Sequence, residues 1–297
     1  MSLLTEPIWH GKVFLSGWTE PGAGAAAITE PATGDRLGEI GMASTADVSR
    51  AAAAAARAQR AWADQPFTER AAVLRRAGDL WGQHAEEVAG WLTREAGAVA
   101  GMAGFNTHVA AEECYEAAAL PSRGYGELIP TEQPRLSWTE RNPVGVVGVI
   151  APFNAPLILA IRSVAPALAL GNAVILKPDP RAAVSGGISI ARVFEAAGLP
   201  ADLLHVLPGG ADIGEALIAE PLVRVISFTG STAAGRRVGQ LAAAHLKRAH
   251  LELGGNSALI VMDDADLDLA VSAGAWGSFL HQGQICMTTG RHLVHQS

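Results

Sequence analysis

Cys286 comes first, because a thiol at the end of a Gly–Gln loop can act as a nucleophile. It stands in Gly283-Gln-Ile-Cys286-Met287 after an apolar stretch, with His281, His292 and His295 close in sequence. Four readings are open: a buried structural thiol, a zinc ligand with His292 and His295, a thiol–histidine dyad with His281, or an activated nucleophile. The spacing fits no defensible zinc pattern. Asn154 interrupts the apolar loop Pro152-Phe-Asn-Ala-Pro156, where its amide either caps the turn or donates to a ligand oxygen. Glu252, within Leu251-Glu-Leu253-Gly-Gly255, is a lone carboxylate at an apolar strand end, which suits a general base. A salt bridge to Lys247 or Arg248 is its structural alternative.

Glycine-rich turns supply a second kind of chemistry. Gly230-Ser231-Thr232-Ala-Ala-Gly235 has phosphate-loop spacing, but Arg236 and Arg237 stand where Lys and Ser/Thr of a P-loop belong, so ATPase chemistry is excluded. The segment follows a predicted strand and opens a helix, so its free N–H groups form an anion site suited to a pyrophosphate. Gly209-Gly210 with Gly214 makes a similar turn. The acidic run Asp263–Asp268 is no EF-hand, since Leu269 and Ala275 stand where Gly and Glu are required, and helix capping is its reading.

These residues need elements to position them. Short apolar runs at Val144–Ile150, Ala173–Leu176, Leu203–Leu207 and Val223–Phe228, with a less regular one at His250–Leu253, predict strands. Helical stretches separate them at Pro156–Leu170, Ala182–Ala197, Asp212–Glu220 and Thr232–Leu246. The alternation predicts an α/β fold, a doubly wound parallel sheet with ligands at the C-terminal strand ends. Upstream, helices are expected over Val48–Ala63, from Pro66 through Leu92, and over Thr107–Leu120, where Cys114 reads as a buried small hydrophobe. A turn is expected at Pro31–Asp35 and a hairpin arm near 122–142. A further unit begins at Ser257–Val261 and continues through a helix Leu267–Leu280. The division is therefore 1–255, a nucleotide-binding domain with its N-terminal helical region, and 256–297, the incomplete start of a second domain.

Composition bounds the partners. The 297 residues are 49% hydrophobic and 17% charged, a packed globular balance, and the net charge of −7 gives no footprint for nucleic acid. Two cysteines make no disulfide framework and fit a reducing compartment. No secretory signal is seen at the N-terminus, and no apolar run reaches the ~18 residues of a membrane span, so a cytoplasmic protein is expected.

Five motifs in order resemble the NAD(P)-dependent aldehyde dehydrogenase superfamily. They are Pro143-Val-Gly-Val-Val-Gly…Pro152-Phe-Asn154, Gly171-Asn-Ala-Val-Ile-Leu-Lys177-Pro178, Phe228-Thr-Gly230…Gly235, Leu251-Glu-Leu-Gly-Gly-Asn256 and Gly283-Gln-Ile-Cys286. The phrases His108–Glu116, Leu176–Arg181 and His281–Thr289 look most like benzaldehyde dehydrogenases. The resemblance implies a Rossmann-like domain and oxidation of an aromatic aldehyde, a small molecule, to the acid with NAD or NADP. It implies Cys286 as nucleophile, Asn154 and the Cys286 amide as oxyanion donors, and Glu252 as base. Lys177, Gly210, Gly230, Ser231, Thr232, Gly235 and Leu253 would hold the cofactor, with no metal. Pro180 stands where many NAD-preferring relatives carry Glu, which leaves NAD against NADP open. Family members continue well beyond this length and assemble as homo-oligomers, so a C-terminally truncated form is expected. An inactive nucleotide-binding fragment and a cofactor-independent thiol hydrolase are the alternatives.

Overall fold

In the computed structural model, which describes residues 2–297, the chain opens with a short helix α1 (Glu6–Trp9) and two ribbons. These are β1 (Val13–Phe14) with β2 (Trp18–Thr19), and β3 (Ala25–Thr29) with β4 (Arg36–Gly41). The turn at Pro31–Asp35 joins β3 to β4 and is closed by Gly34 N donating to Glu30 O. Helices α2 (Thr45–Ala63), α3 (Phe67–Gln83), α4 (Ala85–Ala96) and α5 (Ala100–Ala119) follow. Ser44 and Asp47 form a capping box that starts α2. The helical pattern read from Pro66 through Leu92 is two helices meeting at His84, whose ψ of 17° ends α3. Helix α5 starts at Ala100 rather than Thr107: Gly101 and Gly104 lower its local propensity, but Met102 and Ala103 pack into the core between them. Cys114 is buried on α5, and desolvation pushes its thiol up to about 12, in keeping with a structural hydrophobe.

From Pro143 the alternation is realised as β5 (Val146–Ile150), α6 (Pro156–Ala169), β6 (Ala173–Lys177), α7 (Ser189–Ala196), β7 (Leu204–Val206), α8 (Ala211–Ala219), β8 (Val223–Thr229), α9 (Thr232–Ala244) and β9 (Arg248–Glu252). One sheet takes the order β2-β1-β7-β6-β5-β8-β9, in which β7 through β9 are mutually parallel. The chain steps outward from β5 to β7, then crosses back to lay β8 and β9 on the other side. The switch point therefore lies between β5 and β8. Every residue of β5, β6 and β7 is buried, as an apolar run covered on both faces requires. At Gly148 a Cβ would come within 3.0 Å of both Ile226 and Leu217, so its bare backbone lets α8 lie close on β5. The edge addition of β1 and β2 is absent from the sequence reading, because two-residue strands carry no alternation to detect.

The helix expected over Ala182–Ala197 is continuous, with Ile188 and Ser189 both in right-handed helical geometry where its opening π turn passes into α7. A 3₁₀ turn (Pro180–Ala182) and a π turn (Val184–Ile188) precede α7. Gly186 and Gly187 press on Pro156 and Pro178, where a Cβ on either would come within 2.7 Å. Glu95 caps this turn from α4: its buried carboxylate accepts from Val184 N (2.8 Å), Ser185 N (2.7 Å) and Ser185 Oγ (2.6 Å). Burial raises its pKa to about 7, against those three bonds.

Residues 122–142 run out and back as an antiparallel ribbon, held by Ile129 N to Ser137 O, Thr139 N to Glu127 O and Arg141 N to Tyr125 O. Beyond β9, β10 (Ser257–Val261) and β11 (Thr289–Val294) form a separate parallel pair across α10 (Leu267–Phe279). Asp266 caps α10 by accepting from Leu269 N at 3.1 Å, the capping expected of the acidic run. Among the described residues no helix is long and apolar enough to cross a membrane.

Candidate active site

At the C-terminal ends of β5 and β8 a pocket of about 310 Å³ opens at the switch point. Its wall is drawn from the loop after β5 (Phe153, Asn154), the turn after β8 (Gly230, Ser231), the strand exit Leu253–Gly255 and the loop Gly283–Cys286. Five of the sequence candidates, Asn154, Gly230, Ser231, Leu253 and Cys286, therefore share one pocket. A larger cavity of about 530 Å³ lies at the opposite, N-terminal strand ends, between the arm and α3, and holds none of them.

Cys286 is exposed and sits in a turn locked by Thr288, whose Oγ1 donates to Ile285 O (2.5 Å) and Gly283 O (3.1 Å). Its carbonyl lies so near Gly255 that a Cβ there would come within 2.7 Å. The buried-thiol reading is thereby overturned for Cys286, although it holds for Cys114. Asn154 Nδ2 donates to Gln284 O at 2.7 Å, which leaves the amide's second N–H uncommitted. His281 is buried, and its Nε2 donates to the Asn154 carbonyl at 2.6 Å. The ring faces Asn154 rather than the thiol, so the His281–Cys286 dyad does not form. His292 bonds Ser278 and His295 bonds Ser297. Among the described residues no group of three or more His, Cys, Asp or Glu stands ready for a metal ion.

Glu252 departs from its expected setting. It ends β9, an exposed edge strand, and its carboxylate lies in water 3.5 Å from His250 Nε2 rather than in an apolar pocket. Lys247, its expected partner, donates to Glu220 O instead. The Glu252 main chain is nonetheless part of the site: its carbonyl accepts from Gly230 N at 3.0 Å, tying the turn after β8 to β9.

The turn Gly230–Gly235 opens α9 as predicted. Ser231 is its N-cap, with Oγ accepting from Ala234 N at 3.2 Å. The first amides of the helix, Thr232 among them, have no intrahelical acceptor and point outward as an anion site. Gly235 acts by packing: a Cβ there would meet Leu253 at 2.3 Å, so the glycine brings α9 hard against the strand exit. Lys177 ends β6 with its side chain buried. Desolvation lowers its pKa, while the carboxylates of Asp179 and Asp212 act in the opposite direction. Gly210 caps α8 at the exit from β7. Lys177, Gly210, Thr232, Gly235 and Glu252 stand outside the wall of the pocket itself.

Sequence reading missed three contributors: Thr288, the Gln284 carbonyl, and the stack of Arg181 over Phe153. The Arg181 guanidinium lies 3.9 Å from the Phe153 ring centre and is held by Asp179 through Nε (2.9 Å) and Nη2 (2.8 Å). Main-chain acceptors leave no signature in side-chain types, which explains the Gln284 omission. The Asp179-Pro-Arg181 spacing was on view.

The profile of the aldehyde dehydrogenase family matches residues 18–297. A vanillin dehydrogenase of Amycolatopsis sp. is 69% identical over 297 residues, covering 100% of this chain and 61% of that protein. A benzaldehyde dehydrogenase [NAD(+)] of Pseudomonas putida is 53% identical over 292 residues, covering 98% and 60%. The crystal structure of an NAD-dependent benzaldehyde dehydrogenase from Corynebacterium glutamicum superposes with a TM-score of 0.90 at 42% identity, covering 96% and 63%. The chain thus spans about 60% of the length of the curated relatives it matches.

Proposed function

Because this chain belongs to the aldehyde dehydrogenase family, we propose that it carries the nucleophile and cofactor site for NAD(P)-dependent oxidation of an aromatic aldehyde to its carboxylic acid. The observation that carries this reading is the single pocket in which an exposed thiol, an amide donor and a helix N-terminal turn meet at the switch point. The substrate class is supported by the names of the relatives, vanillin and benzaldehyde dehydrogenases.

The Cys286 sulfur attacks the aldehyde carbon. The oxyanion is held by the free N–H of the Asn154 amide and by the Cys286 backbone N–H. When bound, the nicotinamide would supply a hydride acceptor for the carbon held on Cys286, whose oxidation leaves a thioester. Glu252 then takes a proton from a water that attacks the thioester carbon, and the C–S bond breaks to release the acid and the Cys286 thiolate; the Glu252 side chain is half exposed, with His250 Nε2 3.5 Å away. Lys177 would hold the ribose hydroxyls of a bound NAD(P) and the turn Gly230–Gly235 its pyrophosphate, with Gly210 and Leu253 flanking the nucleotide. The outward amides at the start of α9 fit such an anion, as does the desolvated Lys177 ammonium. Pro180 puts no carboxylate at its own position to repel a 2′-phosphate, and the adjacent Asp179 is paired with Arg181, so NADP is accepted beside NAD. Residues 1–255 form the nucleotide-binding unit and 256–297 the start of the catalytic unit, in a cytoplasmic protein whose full-length form is a homo-oligomer.

A second reading, nucleotide binding without turnover by these 297 residues, is favoured by the open apolar surface of the segment after Gly255, where Leu269, Val271, Trp276 and Phe279 are exposed. An aldehyde dehydrogenase assay run beside a cofactor titration separates the two. In a full-length context Cys286→Ser abolishes oxidation and retains nucleotide binding. Substantial turnover by that variant would sink the mechanism.

A further inference from the structure

His281 and Gln282 adopt left-handed backbone (φ 51° and 56°) ahead of Gly283 (φ 73°), so three consecutive residues before the Cys286 turn hold a conformation natural only to the glycine. Such a loop persists only where its surroundings over-determine it. Two of the bonds that do so run in opposite senses between the same loops. The His281 ring donates to the main-chain carbonyl of Asn154 (2.6 Å), and the Asn154 side chain donates to the main-chain carbonyl of Gln284 (2.7 Å). Because a carbonyl only accepts, the proton must sit on Nε2. The other ring nitrogen, Nδ1, is buried without a partner. The ring thus forgoes one hydrogen bond to keep the other, which is the arrangement of a residue fixed by what it holds.

We propose that His281 is a positioning residue: as the Nε2–H tautomer it clamps the Asn154 carbonyl, and so aims the Asn154 amide at the oxygen of the carbonyl group that Cys286 attacks. This rests on the reading of Asn154 as an oxyanion donor. His281 itself touches neither substrate nor sulfur.

The test uses the 297-residue chain and two electrophiles for Cys286. With p-nitrophenyl acetate the sulfur attacks the ester carbon, the C–S bond forms as the C–O bond breaks, nitrophenolate leaves and the thiol proton passes to solvent. An oxyanion develops on that path. With iodoacetamide the sulfur displaces iodide and no oxyanion develops. Cys114 is buried and serves as the silent internal control in mass spectra. His281→Met removes the donor at nearly constant shape, and His281→Gln restores an N–H at similar reach. The Met variant should slow acylation roughly tenfold, the scale of a small misplacement at a reacting centre, while alkylation stays within about twofold and Gln recovers most of the loss. Three outcomes overturn the proposal: unchanged acylation in the Met variant, an equal fall with both reagents, or a Gln variant as poor as Met. Asn154→Ala isolates the underlying reading, because unchanged acylation there rejects the oxyanion role itself. Should the chain resist the ester altogether, ¹⁵N–¹H NMR of the ring decides. A proton on Nε2, with slow amide exchange at 282–286 that is lost in Met and kept in Gln, supports the clamp. A proton on Nδ1, or exchange equal in both variants, rejects it.

Discussion

The molecule holds two parallel strand pairs of similar length that meet water in opposite ways. In β5–β6 every residue is buried, with helices on both faces. In β10–β11 only Val261 is buried, and Ile260, Leu293 and Val294 lie open. The helices differ likewise: α6 buries nine of its residues, whereas α10 buries only Gly274 and Gly277. Parallel pairs with apolar side chains on both faces need cover on both sides, and α10 covers one side of β10–β11. The candidate site straddles this contrast. Asn154 and Gly230 stand on the fully packed half and Cys286 on the open one. The geometry around Cys286 therefore depends on bonds that cross between the halves, Asn154 to Gln284 and His281 to Asn154 among them.

Amide hydrogen exchange should display the contrast most strongly. Strands β5 and β6 open only with the whole fold, whereas β10 and β11 open locally, so protection should differ by a factor on the order of 10³ or more. Comparable protection in the two pairs would erase the distinction. Limited proteolysis should cut first after Gly255. Substitution reads the same contrast in free energy. Ile175→Ala, at a fully buried site, should cost about 3 kcal/mol. Leu269→Ala, where the side chain is 68% exposed, should stay within about 0.5 kcal/mol. Urea unfolding monitored by far-UV circular dichroism compares them.

The packed half was also the half most open to sequence reasoning. Continuous apolar runs such as Val146–Ile150 and Ala173–Lys177, punctuated by helices, specify strand type and winding directly. Cys286, Asn154 and the turn from Gly230 could be nominated from residue type and come together in one pocket. What stayed hidden was relational. Glu252 has apolar neighbours along the chain, Leu251 and Leu253, yet an edge strand exposes it, and strand order is not written locally. His281 was visible as a titratable ring beside a thiol, but its partner is a carbonyl on a loop 127 residues away in sequence. The π turn at Val184–Ile188 is capped by Glu95, also distant in sequence.

Glu95 tests whether the packed half is pinned by more than apolar contact. Its carboxyl has a pKa near 4.5 when solvated and about 7 in the fold, raised by burial. The stability it contributes is complete below about pH 4.5 and is lost as the pH rises through about 7. Over that interval the wild type should lose about 3 kcal/mol relative to Glu95→Gln, which carries no titrating group there. Urea midpoints measured for both proteins at pH 4.5 and pH 8 give the answer. Parallel pH dependences would mean that Glu95 is ionised throughout and stabilised by its three donors.

The smallest effects come from two helical glycines, and the difference between them locates the seam between the halves. Gly82 lies in α3 with open space where a Cβ would go, so Gly82→Ala should stabilise by about 0.5–1 kcal/mol through helix propensity alone. Gly235 enjoys the same propensity gain in α9, but its new methyl would stand 2.3 Å from a Leu253 methyl. Leu253 can rotate, so the fold survives with little net change in stability. The rotation, however, carries Leu253 into the pocket it lines, beside Gly230 and Asn154. Gly235→Ala should therefore leave the urea midpoint nearly unchanged and weaken NAD binding by roughly tenfold, about 1.4 kcal/mol. Isothermal titration against Gly82→Ala as the control decides the matter. Equal nucleotide affinity in the two variants would show that α9 and the strand exit can part without disturbing the site.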